Sequence, residues 1–552
     1  MVVSTAKQLN STYQLWQRFT FPSEEGPRDA IAVPKSVGDQ LNAAYALIID
    51  LALVHFWSIL FGLILYFYIR GRKTEVSKLN PLAPIIWNKR ADLFDAIIET
   101  LTSLEEKWKS PGIPLLLLLT FAAWVGQKAT GILVPPLIII GNAAPVNPEA
   151  IYVPDRPRPD DYASIATFFS LEVPRILRAI GSTAADEELR HQVNVSAAIP
   201  VGQTSSGEDI LRIDYGYRAT GADLGLQRFP DLTLTVTGSC ATEYEWFNRT
   251  AIANSDGTAV AVDFYDVFGN ETNASLFDGR QPVAQFFPGN VTAHGTLATS
   301  NATWAAVVSS VDRISFSPGT DPWYLTGPGA DSKTGAQYTV LPARPALSCW
   351  QDDVWSYQDH NSTIEALTSD ALPGLDLSVD LQNILLTVLG TPVIAIVGQH
   401  LQASALLSST TADGRIFDAG ASSVHNDLER LVQAAYVATV NCLTDLTLYP
   451  AGAESQLRNI ARGDSGQIPG GVADFVVWSP EVATLSTVVV IVIPSVFVGV
   501  WIVAIVLLYW TPVKAVNVLD SNNLQQNPDE KKSDETAGNS AAIQRIVSTG
   551  NQ

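Results

Sequence analysis

Three long apolar stretches constrain this chain more than anything else in its 552 residues. Residues 43–69 read AAYALIIDLALVHFWSILFGLILYFYI, residues 113–140 open on a run of leucines, and residues 484–510 are mostly Val, Ile and Leu around Pro494. A helix needs about 20 apolar residues to cross a bilayer, so each is expected to span. The second is interrupted by Gln127 and Lys128, and Pro135-Pro136 would stop a helix near Leu133.

Basic residues next to the spans set their direction. Arg70, Arg72, Lys73 and Lys78 follow the first, Lys107 and Lys109 lead into the second, and Lys514 follows the third. Positive flanks stay in the cytosol, so residues 70–112 and 511–552 are expected inside, with 1–42 and 141–483 in the lumen or outside the cell. The first 41 residues show no compact apolar run behind a basic start, so the first span is expected to act as an uncleaved anchor. The expected fold class is integral membrane α-helical spans plus a large β-rich (α+β) extracellular or lumenal domain. Its location would be a plasma membrane or secretory-pathway membrane, crossed several times, with membrane lipid as the first partner.

Charge agrees with that partition. The chain carries a net charge of -21, which excludes a nucleic-acid partner because its phosphates would be repelled. Residues 142–483 hold 39 Asp and Glu against 17 Arg and Lys. Sequons fall at Asn10, Asn194, Asn248, Asn270, Asn273, Asn290, Asn301 and Asn361, all on the expected exterior side. Seven of the 14 asparagines in 142–483 belong to sequons, a density that reads as glycosylated surface loops.

Residues 1–42 are polar and expected to be irregular. Residues 88–109 form an amphipathic helix with Leu93, Phe94, Ile97, Ile98, Leu101, Leu104 and Trp108 on one stripe. Its other face is acidic, so it suits a cytosolic or intramembrane partner better than anionic lipid. Residues 141–160 read as a Pro-rich linker and 161–483 as the glycosylated acidic domain. Alternation around 211–215, 232–236 and 260–264 predicts half-buried strands, and 428–440 predicts a helix. The tail 511–552 is expected to be disordered.

Several constellations bear on chemistry. Gly463-Asp464-Ser465-Gly466 and Thr292-Ala293-His294 imitate a serine-protease pair, but too little chain follows Ser465 before the third span to complete that fold. Arg462-Gly463-Asp464-Ser465 spells an adhesion tetrapeptide that arises readily by chance. Asp352, Asp353, Asp359 and His360 offer oxygen and imidazole ligands for a divalent ion, yet their spacing matches neither an EF-hand loop nor a zinc motif. Asp50, His55 and Lys128 lie inside the apolar stretches, where an ionisable group marks function or snorkels to the interface. Three cysteines allow three pairings with one thiol left over; Cys240–Cys349 is favoured because both sit in strand-like sequence, whereas Cys442 ends the predicted helix.

The segments CWQDDVWSY, LTSDALPGLDLS, ASALLSSTT, FDAGASS and AAYVATVN, between Cys349 and Asn441, resemble a broad family of filamentous-fungal membrane proteins. That resemblance implies a fungal multi-span glycoprotein and supplies no active site to carry over. The leading expectation is a non-enzymatic domain that binds an extracellular ligand, wall polymer or protein, without cofactor, metal or catalytic residue. Two alternatives stand beside it: a membrane-tethered hydrolase using Asp352 or Asp353, and an accessory subunit of a transporter.

Overall fold

The computed structural model describes residues 12–71, 93–102, 112–156, 160–185, 187–255, 258–269, 273–277, 284–289, 301–311, 313–329, 335–408, 416–449 and 457–510. Its helices are α1 (Lys35–Gly71), α2 (Leu93–Thr102), α3 (Gly112–Leu133), α4 (Tyr162–Ala185), α5 (Val379–Leu389), α6 (Val393–Leu401), α7 (Val424–Val440) and α8 (Thr487–Trp510), besides shorter turns. The chain divides into two units, Pro34–Gly141 with Ala483–Gln552, and Met1–Val33 with Asn142–Val482.

The first unit holds α1, α2, α3 and α8. Lys35–Leu63, Leu117–Ile138 and Thr487–Leu507 are helical stretches long and apolar enough to cross a membrane. Their outward surfaces are apolar too: Leu47, Phe56, Leu118, Phe121, Val488, Ile491 and Val506 are exposed. α1 packs against both α3 and α8. α3 ends at Leu133, as two consecutive prolines dictate, and the chain passes through a short 3-10 turn at Pro135–Ile138. α2 lies against α3, with the Phe94 and Trp124 rings 5.4 Å apart. Leu93 and Ile97 are buried, whereas Phe94, Ile98 and Leu101 keep much of their surface open. The rest of the predicted helix 88–109, and the tail 511–552, lie outside the described residues.

The second unit is a mixed α and β fold. Its main strands are β1 (Arg18–Phe21), β2 (Arg28–Pro34), β3 (Ala143–Pro145), β4 (Val193–Val195), β5 (Ile199–Gln203), β6 (Asp209–Thr220), β7 (Thr233–Glu243), β8 (Phe247–Ser255), β9 (Thr258–Asp266), β10 (Asn273–Phe277), β11 (Ala284–Pro288), β12 (Asn301–Val308), β13 (Ala346–Tyr357), β14 (His360–Ser362) and β15 (Val476–Trp478). An eight-stranded antiparallel sheet runs β11-β12-β13-β7-β6-β4, with β14 on β13 and β5 on β6. Alternation decides its faces: Ile213, Tyr215, Tyr217 and Ala219 of β6 are buried, while Arg212 and Arg218 on the other face are exposed. On the inner face α4, α6 and α7 pack against one another, and α7 packs on β6. Gly398 of α6 permits close contact with β11, since a Cβ there would lie 2.2 Å from the Phe286 ring. Ser423 caps α7, its hydroxyl accepting from the Asn426 amide at 3.1 Å.

Three expectations need correction. Residues 1–42 are not irregular throughout, because β1 and β2 form a hairpin with Phe19 opposite Ala30, and α1 starts at Lys35. Residues 141–160 are not a free linker: β3 pairs with β15, and Val146, Ile151 and Val153 are in the core. The domain is also more helical than its strand signals imply, because α4 occupies Tyr162–Ala185. As a bent pair α5 and α6 are also apolar enough to span, but Leu381, Ile384, Leu385, Ile394 and Val397 are buried within this unit.

Candidate functional site

The two faces of β13 differ in kind. On the inner face, Cys240 of β7 stands opposite Cys349, and the two form a disulfide. One step along, Gly238 lies between Tyr215 and Gln351 in register. The missing side chain matters there, because a Cβ would sit 2.3 Å from the Tyr215 ring, which passes over β7 to reach β13. A directed chain results. Trp304 Nε1 donates to the Tyr215 hydroxyl at 2.9 Å, that hydroxyl donates to Gln351 Oε1 at 2.9 Å, and Gln351 Nε2 donates to Asp353 Oδ1 at 2.8 Å. Asp353 retains some solvent contact, yet protein crowds it on its other sides. Burial pushes its carboxyl up to about 7, against the Gln351 hydrogen bond and with a small contribution from Asp352. Burial likewise raises the Tyr215 hydroxyl well above its ordinary value.

A second buried group sits between α4 and α6. Arg175 Nη2 lies 3.0 Å from Glu172 Oε1, and His400 Nε2 lies 3.2 Å from Glu172 Oε2, out of line for a hydrogen bond. His400 Nδ1 donates to the Ile396 carbonyl at 2.8 Å, which fixes the ring with Nε2 toward the carboxylate. Burial opposes the Glu172 charge, but Arg175, then His400 and Arg156, outweigh it and hold the carboxyl below its usual value. A third group centres on Asp427 in the first turn of α7. It accepts from the Ser408 amide at 2.9 Å and from the hydroxyls of Ser408 and Tyr324. Burial raises its carboxyl, and pushes that of neighbouring Asp321 up to about 6. These groups are matched to partners within the core.

The outer face is open where β13 carries Trp350. Tyr265 and Val267 pack on Ala305, Val307 and Ala346, so among the described residues the sheet of β8, β9 and β10 covers the Ala346 end of this face. Trp350 is 46% exposed, and Thr303 and Ser239 flank it in register. Asp214 follows beyond Ser239, and Arg212 Nε donates to Asp214 at 2.8 Å and to the Ser239 hydroxyl at 3.0 Å. The adjacent row runs Asn301, Asp352, Thr237, Gly216, Asn194. Asp352 Oδ1 on that row is shielded from solvent and has no hydrogen-bond partner.

The predicted site residues separate accordingly. Asp352 and Asp353 are adjacent on β13 and belong to opposite faces, while Asp359 and His360 are exposed around the β13–β14 turn, so the four do not converge. Among the described residues no three His, Cys, Asp or Glu lie together as metal ligands would. Asp50 and Lys128 do meet: Lys128 Nζ is 3.6 Å from Asp50 Oδ1, and Gln127 Nε2 donates to the same oxygen at 2.8 Å. His55 is elsewhere on α1, its ring 6.4 Å from Phe497. Gln127 is thus the partner that charge-based reading overlooked. Asn194, Asn248 and Asn361 are exposed; Asn273 and Asn301 lie on β10 and β12, and Asn10, Asn270 and Asn290 lie outside the described residues. His294 of the protease-like pair is also outside them. Arg462 of the adhesion-like tetrapeptide is engaged internally, 2.9 Å from Glu149.

A family model described as a domain of unknown function (DUF8406) matches residues 173–477, more than half of the chain, and the chain belongs to that family. The match begins within α4, ends in β15 and takes in both faces of the eight-stranded sheet. No curated protein and no solved structure matches the chain.

Proposed function

We propose that this chain is a three-span membrane glycoprotein of the plasma membrane or secretory pathway whose sheet-and-helix unit faces away from the cytosol and binds a ligand. The observation that carries the binding reading is the contrast across β13. The titratable groups of the inner face are bonded to partners in the core, whereas the outer face offers an exposed indole amid hydroxyl, carboxylate and guanidinium groups. The Cys240–Cys349 bridge suits an oxidising compartment, and exposure of Asn194, Asn248 and Asn361 suits glycan attachment.

Topology is tested by a glycosidase band shift on the expressed protein, combined with protease protection of an epitope on the C-terminal tail. In sealed microsomal vesicles, whose outer face is cytosolic, the reading requires a band shift, a digested tail and a protected sheet-and-helix unit. An unshifted band with a protease-sensitive domain would put residues 142–482 in the cytosol and end it. A membrane-tethered hydrolase is the second reading, favoured by Asp353, whose proton at neutral pH suits a general acid. It needs a second carboxylate across a substrate, and Asp352 belongs to the opposite face of the strand.

A further inference from the structure

We propose that the outer face of the eight-stranded sheet binds a neutral carbohydrate chain, with one sugar ring stacked on the Trp350 indole. This deepens the binding reading above and rests on it. The first ground is the indole itself. Among the described residues of the central strands β6, β7, β12 and β13, Trp350 is the large apolar side chain left exposed, at 46%. Trp355, five residues along the same strand, is 1% exposed, so the strand buries an indole where the inner face needs one. A flat π surface on a rigid strand matches the flat C–H face of a pyranose, which is apolar although its rim is all hydroxyl.

The second ground is what surrounds it. Strands lie about 4.8 Å apart, so the row from Trp350 across the buried Ser239 to Asp214 spans about 10 Å, roughly the length of a disaccharide. The Arg212–Asp214 pair presents donors and acceptors side by side, an arrangement that can bond neighbouring hydroxyls of one sugar. Asp352, half-buried one row away, adds a carboxylate to the face beside Thr237.

The third ground is charge. Arg212 and Arg218 offset two of the three carboxylates Asp214, Asp352 and Glu243 on this face, whereas residues 142–483 as a whole carry 39 acidic and 17 basic residues. An acidic polymer would be repelled by the domain, and a basic partner would find stronger attraction elsewhere on it. A neutral polyol meets neither objection.

The test uses the full chain, purified in detergent and enzymatically deglycosylated so that its own glycans at Asn194 or Asn301 cannot occupy the face. Hexamers of β-1,3-glucose, β-1,4-glucose, β-1,4-N-acetylglucosamine and α-1,6-mannose are titrated by calorimetry. Binding of at least one hexamer is expected, weakened tenfold or more in Trp350→Ala and partly restored in Trp350→Phe. Thr237→Arg, which places a bulky side chain on the same face while keeping the indole, should also abolish it. Equal binding by wild type and Trp350→Ala, or no binding to any hexamer by correctly melting wild-type protein, would overturn the proposal. The glycosidase and protease-protection result is independent of this titration, so a failed topology and a failed ligand class are told apart.

Discussion

The hydroxyl of Tyr45 donates a 2.7 Å hydrogen bond to the main-chain carbonyl of Val490. Val490 lies four residues before Pro494, so the proline, which has no N–H, leaves this carbonyl without its helical donor. A side chain from α1 thus repairs α8 where its own backbone cannot, and ties the two apolar helices together.

Removing the hydroxyl should therefore cost stability. Tyr45→Phe is expected to lose about 1–2 kcal/mol by stranding a carbonyl in apolar surroundings. The loss should shrink in a Pro494→Ala background, where the helix supplies its own donor again. A double-mutant cycle on thermal unfolding in detergent measures the coupling; independent effects of the two changes would refute this role for Tyr45.

Asp50 is held from α3 by two adjacent residues, Gln127 at 2.8 Å and Lys128 at 3.6 Å. Lys128→Leu leaves the Gln127 hydrogen bond in place and should reduce export and half-life only modestly. Asp50→Leu leaves Lys128 charged and Gln127 unbonded and should reduce both by severalfold, as an unpaired intramembrane charge is costly. Combining Asp50→Leu with Lys128→Leu should recover part of that loss. If the double variant is the worst of the three in pulse-chase and surface labelling, the pair does not neutralise itself.

The legibility of this fold follows the range of the forces that make it. The apolar stretches and β6, β7 and β9 could be read because their signals are local, a continuous run or a period of two. α4 was missed because its buried face carries Glu172 and Arg175, which read as a solvent-facing pair although they neutralise each other within the helix and lie buried against His400 of α6. The core role of 141–160 was hidden by its prolines, which read as linker although Val146, Ile151 and Val153 are buried. The Tyr215–Gln351–Asp353 chain depends on Gly238 lying in register between two strands far apart in sequence. Trp350 could have been found by parity: once Cys349 is assigned to the inner face, its neighbour must face outward.

The disulfide closes a long loop, with 109 residues separating Cys240 from Cys349. Serine at either position should cost roughly 2–5 kcal/mol. Cys442 should behave differently, being buried with its thiol pushed up to about 12 by burial. Maleimide should leave Cys442 unlabelled in the native protein and label it in denaturant. Rapid native labelling of wild type, absent in Cys442→Ala, would show that the turn following α7 opens to solvent.

Acidification should stabilise the sheet-and-helix unit before it destabilises it. The Asp353 and Asp321 carboxyls are raised from 3.8 to about 7 and about 6 by burial. Between about pH 4 and pH 7 the folded protein therefore holds protons that the unfolded chain has released, and stability rises as pH falls. This contribution is fully present below the unfolded value and is lost as pH rises through the folded one. Glu172, held below its ordinary value, acts in the opposite sense, and its contribution disappears at pH values below this window. The melting temperature of the full chain should thus be higher at pH 5 than at pH 7.5 by a few degrees, at roughly 2–4 °C per kcal/mol for a domain of this scale. Asp353→Asn, which keeps an acceptor for Gln351 but cannot ionise, should flatten that slope while leaving the fall below pH 4 in place. An unchanged slope in this variant would show that Asp353 is not the group whose proton stabilises the fold.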